Sequence, residues 1–155
     1  MTYDLAFIGA GNMAEAIARG LIRTATVPAD RLIAADPVEA RRTLFSSELK
    51  IRALADAADA AKNADAILLA VKPQQISEVL SAIGKVLREQ TLIISIAAGV
   101  SSQCIEAALG QGKAWRVIRT MPNTPMLVGQ GAVAIAAGAN ASQADIAAAR
   151  RFFEP

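Results

Sequence analysis

The residues best suited to chemistry open the chain. Gly9-Ala10-Gly11-Asn12-Met13-Ala14 follows the apolar run Leu5-Ala6-Phe7-Ile8. Gly9 can take a backbone conformation that side chains disfavour, which permits a tight turn. Gly11 has no side chain to hold a phosphate away from the backbone, and Ala14 is small enough for a following helix to pack close to the strand. The start of that helix would offer free N–H groups and the positive end of a dipole to an anion. The chemistry of this stretch is therefore pyrophosphate binding rather than bond breaking. Such a glycine pattern is weak alone, but here it has the strand before it and the helical pattern after it that it requires.

Three further places carry polar groups at the ends of apolar runs. Asp36 ends Arg31-Leu32-Ile33-Ala34-Ala35, 22 residues past Ala14. An acidic group there can accept hydrogen bonds from ribose 2′- and 3′-hydroxyls, which favours NADH, whereas Arg41 and Arg42 could meet the 2′-phosphate of NADPH. Asp36 could also simply cap the helix after Pro37, so cofactor choice stays open. Lys72 follows the run Ala66-Ile67-Leu68-Leu69-Ala70-Val71 and either approaches a ligand or snorkels to water from the rim. Asn123 and Thr124 lie between Pro122 and Pro125. They suit fixing a carboxylate or carboxamide near a nicotinamide, or else they bond their own backbone.

The composition removes other chemistries. The chain of 155 residues has no histidine and one cysteine, Cys104. The commonest general base is absent, no metal site is expected, and no intrachain disulfide can form. Cys104 and Trp115 read as core. Hydrophobic residues make up 54%, charged residues 19%, and the net charge is only +2. With no cluster of basic residues among aromatics, nucleic acid is not an expected partner. The start Met1-Thr2-Tyr3-Asp4 lacks a basic leader, and no apolar run reaches the roughly 18 residues of a membrane span. The expectation is a cytoplasmic protein with no membrane partner.

The elements that must position these groups alternate. Strands are predicted at residues 5–8, 31–35, around 51, 66–71, 91–96, 115–120 and 132–137. Helices are predicted over 12–24, 38–48, 56–63, 74–88, from Ser101-Ser102 to Leu109, and from Ser142 to the end. Residues 121–125 are expected to be loop because prolines flank Asn123-Thr124. Alternation at this spacing implies an α/β fold: a Rossmann-type, doubly wound, mostly parallel sheet with helices on both faces.

Four stretches together resemble the pyrroline-5-carboxylate reductase family, across essentially all 155 residues. They are Phe7-Ile8-Gly9-Ala10-Gly11-Asn12-Met13-Ala14, Ala70-Val71-Lys72-Pro73-Gln74, Ser95-Ile96-Ala97-Ala98-Gly99-Val100, and Arg119-Thr120-Met121-Pro122-Asn123-Thr124-Pro125. The first is shared with many dehydrogenases; the Met-Pro-Asn-Thr-Pro run is far more specific. The resemblance implies that Ile8, Gly9, Ala10, Gly11, Asn12 and Met13 form the pyrophosphate loop. It implies that Ala35, Asp36 and Pro37 form the adenosine-ribose edge. Ala70, Val71, Lys72, Pro73, Ala97, Ala98 and Gly99 would line the rest of the cofactor. Met121, Pro122, Asn123 and Thr124 would lie in the nicotinamide and substrate vicinity. Ala57 stands where many relatives carry an asparagine that touches the adenosine region. The implied reaction is reduction of 1-pyrroline-5-carboxylate to proline by NADPH or NADH, with no catalytic residue assigned.

Members of that family continue past the point where this chain stops. The expectation is one NAD(P)-binding domain over residues 1–155, without the helical domain that gives the full-length proteins a substrate loop and a homodimer or larger assembly. Apolar surface near Phe152 and Phe153 would then be exposed or would drive some other association. The alternatives are a dinucleotide-binding fragment without turnover and another small Rossmann reductase, such as a deazaflavin-dependent one. The Met-Pro-Asn-Thr-Pro run argues against the latter.

Overall fold

The computed structural model describes residues 2–123, 125 and 131–154. Among them, seven strands form one sheet: β1 (Tyr3–Ile8), β2 (Leu32–Ala35), β3 (Arg52–Leu54), β4 (Ala64–Leu69), β5 (Leu92–Ser95), β6 (Arg116–Pro122) and β7 (Val133–Ala137). Their order is β3-β2-β1-β4-β5-β6-β7. The first six are parallel, and β7 returns antiparallel to β6. The helices are α1 (Asn12–Arg23), α2 (Glu39–Thr43), α3 (Ala57–Ala61), α4 (Ile76–Ile83), α5 (Ser102–Leu109) and α6 (Gln143–Arg151).

Strand side chains alternate between faces, so one sheet feeds two cores. Leu5, Phe7, Leu32, Leu68, Ile94 and Ile118 pack on the side of α1 and α6, against Ile17, Leu21 and Ala149. Tyr3, Ala6, Ile33, Ile67, Ile93 and Val117 pack on the other side, against Ala60 of α3, Leu80 of α4 and Ile105 of α5. This is the doubly wound Rossmann-type arrangement. Each fully buried Leu, Ile or Phe contributes roughly 1.5–3 kcal/mol. The central strands need apolar residues on both faces, which explains their near-continuous apolar runs.

Several elements differ from expectation for reasons that lie in packing. Residues 38–48 do not form one helix. After α2 the backbone widens into a π turn, Leu44–Glu48. Phe45 is thereby buried, with its ring edge-on to Phe7 at 5.9 Å between centroids. The helix expected over 74–88 shrinks to α4, preceded by a tight turn at Pro73–Gln75. It stops at Gly84, where a Cβ would lie 2.4 Å from the Leu109 carbonyl oxygen. The end of α5 closes on that glycine. The strand expected to reach Val71 ends at Leu69.

Met121 and Pro122 are strand, not loop. They pair with Ala134 and Val133 of β7. Beyond Arg119, the partner of Ser95 at the end of β5, β6 has a neighbour on one side only. A proline is tolerated at such an edge because no ladder bond is lost on the open side. Phe152 and Phe153 are not exposed; each is 6% accessible and belongs to the α1–α6 core. The chain leaves α6 in tight turns, with Phe152 N–H donating to Ala149 and Phe153 N–H to Arg150, and these return both rings to the sheet. Cys104 is exposed rather than core, because α5 turns the adjacent Ile105 inward instead. Trp115 is buried as expected, its Nε1 donating to the Gly110 carbonyl at 2.9 Å.

Candidate functional site

The carboxyl ends of the parallel strands lie along one edge, and the loops there are tied to one another. Gly9 N–H donates to Ala35 at 2.8 Å, Ala70 N–H to Ile8 at 2.8 Å, and Ile96 N–H to Leu69 at 3.2 Å. The strand order reverses at β1, which has β2 on one side and β4 on the other. Open α/β sheets bind ligands in the crevice above that reversal.

Gly9 sits at φ +97°, and a Cβ there would lie 2.7 Å from the Ala70 carbonyl oxygen. Glycine is thus required twice, by conformation and by the close approach of the β4 loop. Gly11 differs. Its backbone is extended, and nothing lies within 4 Å of where a Cβ would be. The space over Gly11 is open. No side chain caps α1, so its first N–H groups face that space unpaired by the helix. An open cradle at an uncapped helix start fits a pyrophosphate.

Asp36 joins three segments. Its Oδ2 accepts from Ala10 N–H at 2.8 Å and its Oδ1 from Val38 N–H at 2.8 Å. The Val38 bond closes a local turn rather than capping α2, whose N-cap is Val38 itself with no side-chain cap. Around Asp36 lies a charged network that the sequence reading missed. Arg41 donates to the Ala10 carbonyl and, at 2.8 Å, to Glu15. Glu15 also pairs with Arg19, which reaches Glu48. Burial pushes the Glu15 carboxyl up, but hydrogen bonds from Arg41 and Arg19 outweigh it and hold the group below its ordinary value of 4.5. The four-residue spacing of Glu15 and Arg19 was a visible signal. The arrival of Arg41 was not, because only the fold brings α2 to the glycine loop.

Ile8, Ala10, Ala35 and Ala97 are buried behind the edge, while Asn12, Pro37, Lys72, Pro73, Ala98 and Gly99 are exposed along it. Met13, Ala70 and Val71 lie between these extremes. Lys72 precedes the Pro73 turn and is exposed. Gly99 turns the chain at φ +73°. Met121 and Asn123 reach the same edge through the overhang of β6. Asn123 Oδ1 accepts from Ala132 N–H at 3.0 Å, so its oxygen closes the hairpin with β7. Thr124 lies outside the described residues. No group of three or more His, Cys, Asp or Glu among the described residues is placed to hold a metal ion, and none of their helices is long and apolar enough to cross a membrane.

A family model described as NADP oxidoreductase, coenzyme F420-dependent, matches residues 4–99. The chain belongs to that family. The match covers the glycine loop, Asp36 and Lys72 but stops before β6. Longer likenesses cover the rest. A pyrroline-5-carboxylate reductase from Pseudomonas aeruginosa is 43% identical over 143 residues, 92% of this chain and 51% of that protein. The solved structure of a pyrroline-5-carboxylate reductase from Coxiella burnetii superposes with a TM-score of 0.91 at 34% identity, covering 99% of this chain and 56% of that one. The Plasmodium falciparum pyrroline carboxylate reductase, solved with NADP bound, superposes with a TM-score of 0.84 at 26% identity, over 98% of this chain and 54% of that one. The chain spans about half the length of the curated relatives it matches.

Proposed function

We propose that residues 1–155 form the cofactor-binding domain of a cytoplasmic NAD(P)H-dependent reductase that converts 1-pyrroline-5-carboxylate to proline. The main support is likeness across nearly the whole chain, including β6, to proteins named for that activity. The bound dinucleotide would supply a hydride from its nicotinamide C4 to the imine carbon, and the imine nitrogen would carry the proton that completes the amine. An imine is basic enough to arrive protonated, so the absence of histidine is no obstacle.

In this reading Ile8 to Met13 hold the pyrophosphate, with Gly11 giving it room. Asp36, between Ala35 and Pro37, faces the adenosine ribose. Ala70 to Pro73 and Ala97 to Gly99 flank the cofactor toward the nicotinamide. Met121, Pro122, Asn123 and Thr124 lie beside the reacting ring. A helical domain in the full-length proteins would supply the substrate loop and a homodimer or larger assembly. The 155-residue chain alone would then bind dinucleotide without efficient turnover.

Titration with NADH and NADPH tests the cofactor reading; affinity for neither refutes it. Assay of pyrroline-5-carboxylate reduction tests the division of labour, and robust turnover by this chain alone would show that no further domain is needed. The family description favours a second reading, reduction linked to a deazaflavin. Reduction of coenzyme F420 by NADPH, without pyrroline-5-carboxylate reduction in the full-length protein, would establish it.

A further inference from the structure

The amino ends of the parallel strands form the edge opposite the glycine loop, and they carry charge of both signs. Asp4 and Asp65 hold the second positions of β1 and β4, Leu92 the first of β5 and Arg116 the first of β6. Asp145 and Arg151 of α6 join them around a cleft of about 260 Å³. Leu92 and Phe152 give the cleft apolar wall. Apolar walls with a few convergent polar groups are the usual make-up of a small-molecule site.

The charges around the cleft do not fully satisfy one another. Arg31 takes Oδ1 of Asp4, and Arg88 takes Oδ1 of Asp65 at 2.8 Å. The second oxygen of each carboxylate accepts no hydrogen bond among the described residues. Arg116 is committed to Asp145 at 2.7 Å and to the Gln90 carbonyl. Asp145 is buried and completes the capping box of α6, so this pair is a fixed wall. Arg151 differs. It is exposed, has no carboxylate partner among the described residues, and reaches the Thr26 carbonyl only at a long 3.4 Å. The guanidinium therefore keeps donors for an incoming carboxylate. A simple anion would meet the charges of Asp4 and Asp65, and a simple amine would meet that of Arg151. A molecule carrying both groups meets neither penalty.

We propose that this cleft binds a small apolar α-amino acid. The ligand carboxylate pairs with Arg151, the ammonium donates to the second oxygens of Asp4 and Asp65, and the side chain lies against Leu92 and Phe152. The site is on the far side of the sheet from the dinucleotide edge, and its occupancy does not depend on the cofactor reading.

The test is titration of the isotope-labelled 155-residue protein with L-valine, read from backbone amide shifts by NMR. Two isosteres accompany it: isovalerate, which lacks the ammonium, and isobutylamine, which lacks the carboxylate. L-valine should give saturable shifts at Asp4, Asp65, Leu92 and Arg151 and none at Gly9 or Gly11. Each isostere should bind about tenfold or more weakly, the value of one lost charge-assisted hydrogen bond. Arg151→Gln and Asp65→Asn alter exposed residues. Each should weaken L-valine binding by about tenfold. If either variant folds poorly, the isostere comparison on the unaltered protein decides the matter alone. No saturable shift at the amino edge up to the solubility limit of L-valine, or shifts confined to the glycine loop, overturns the proposal. So does either isostere binding as tightly as L-valine, or folded variants that bind it normally.

Discussion

Alanine at Gly9 and alanine at Gly11 should have different effects, although the two positions are two residues apart in one loop. At Gly9 the backbone lies at φ +97°, and the new Cβ would be 2.7 Å from the Ala70 oxygen and 2.8 Å from its carbonyl carbon. The conformation alone costs about 1–2 kcal/mol. Relieving the overlap requires the β4 loop to shift, at about 1–3 kcal/mol. The total of about 2–5 kcal/mol corresponds to a fall in Tm of roughly 5–15 °C for a domain of this size. At Gly11 the backbone is at φ −73° and ψ −174°, which alanine adopts freely, and no atom lies within 4 Å of the new methyl. Stability should change little, because the gain of about 0.4–1 kcal/mol from a less free unfolded chain is offset by alanine's poor fit at the helix N-cap that Gly11 occupies. That methyl would, however, occupy the space a pyrophosphate needs, so dinucleotide affinity should fall by about tenfold or more. Thermal unfolding by circular dichroism and NADH titration of both variants form one experiment. A Gly9→Ala protein melting within about 2 °C of the parent would contradict the packing argument. A Gly11→Ala protein that binds NADH normally would remove the cradle from the site.

Three further outcomes follow from the same geometry. The folded-state pKa of Glu15 lies below its ordinary value of 4.5, so its stabilisation is complete above that value and is lost as pH falls through the folded one. Urea titrations between about pH 5 and pH 3 should show the parent losing stability faster than Glu15→Gln, and parallel curves would remove Glu15 from acid sensitivity. Asp145 is buried, completes the capping box of α6 with Ser142 and receives Arg116 at 2.7 Å. Asp145→Ala should lower stability by about 1–3 kcal/mol in urea titration, and a loss under about 0.5 kcal/mol would show the cap to be dispensable. Cys104 is exposed, so a thiol reagent should label it in the native protein as readily as in urea; protection until unfolding would place it in the core.

Local chemistry was the part of the fold that could be read directly. The glycine turn, the buried run at Ile67 to Leu69 and the helix starts near Ser101 and Ser142 each depend on neighbours a few residues away. What escaped reading depends on distant partners. Met121 and Pro122 are strand because Val133 and Ala134 arrive beside them. Phe152 and Phe153 look like exposed apolar surface until the turns after α6 bring them to the sheet. Cys104 lies next to Ile105 on α5, and helical spacing did not settle which of them faces inward. At the candidate site, Asp36 was found by its place after β2. Its grip on Ala10, and the reach of Arg41 to the same residue, arise only when α2 folds over the glycine loop.

The strand order also constrains how the molecule can be assembled. From β1 the sheet first grows outward through β2 and β3, then outward on the other flank through β4, β5, β6 and β7. Each strand is added beside one that precedes it in the chain, so no strand has to be inserted between two already joined. During synthesis the nascent sheet can accrete at its margins as each segment emerges, with an unpaired flank offered to the next arrival. The long-range step comes when β4 docks on β1, pairing Ala64 with Tyr3 and Leu69 with Ile8. That closure carries the greatest loop entropy of the parallel pairings and is where folding should be slowest.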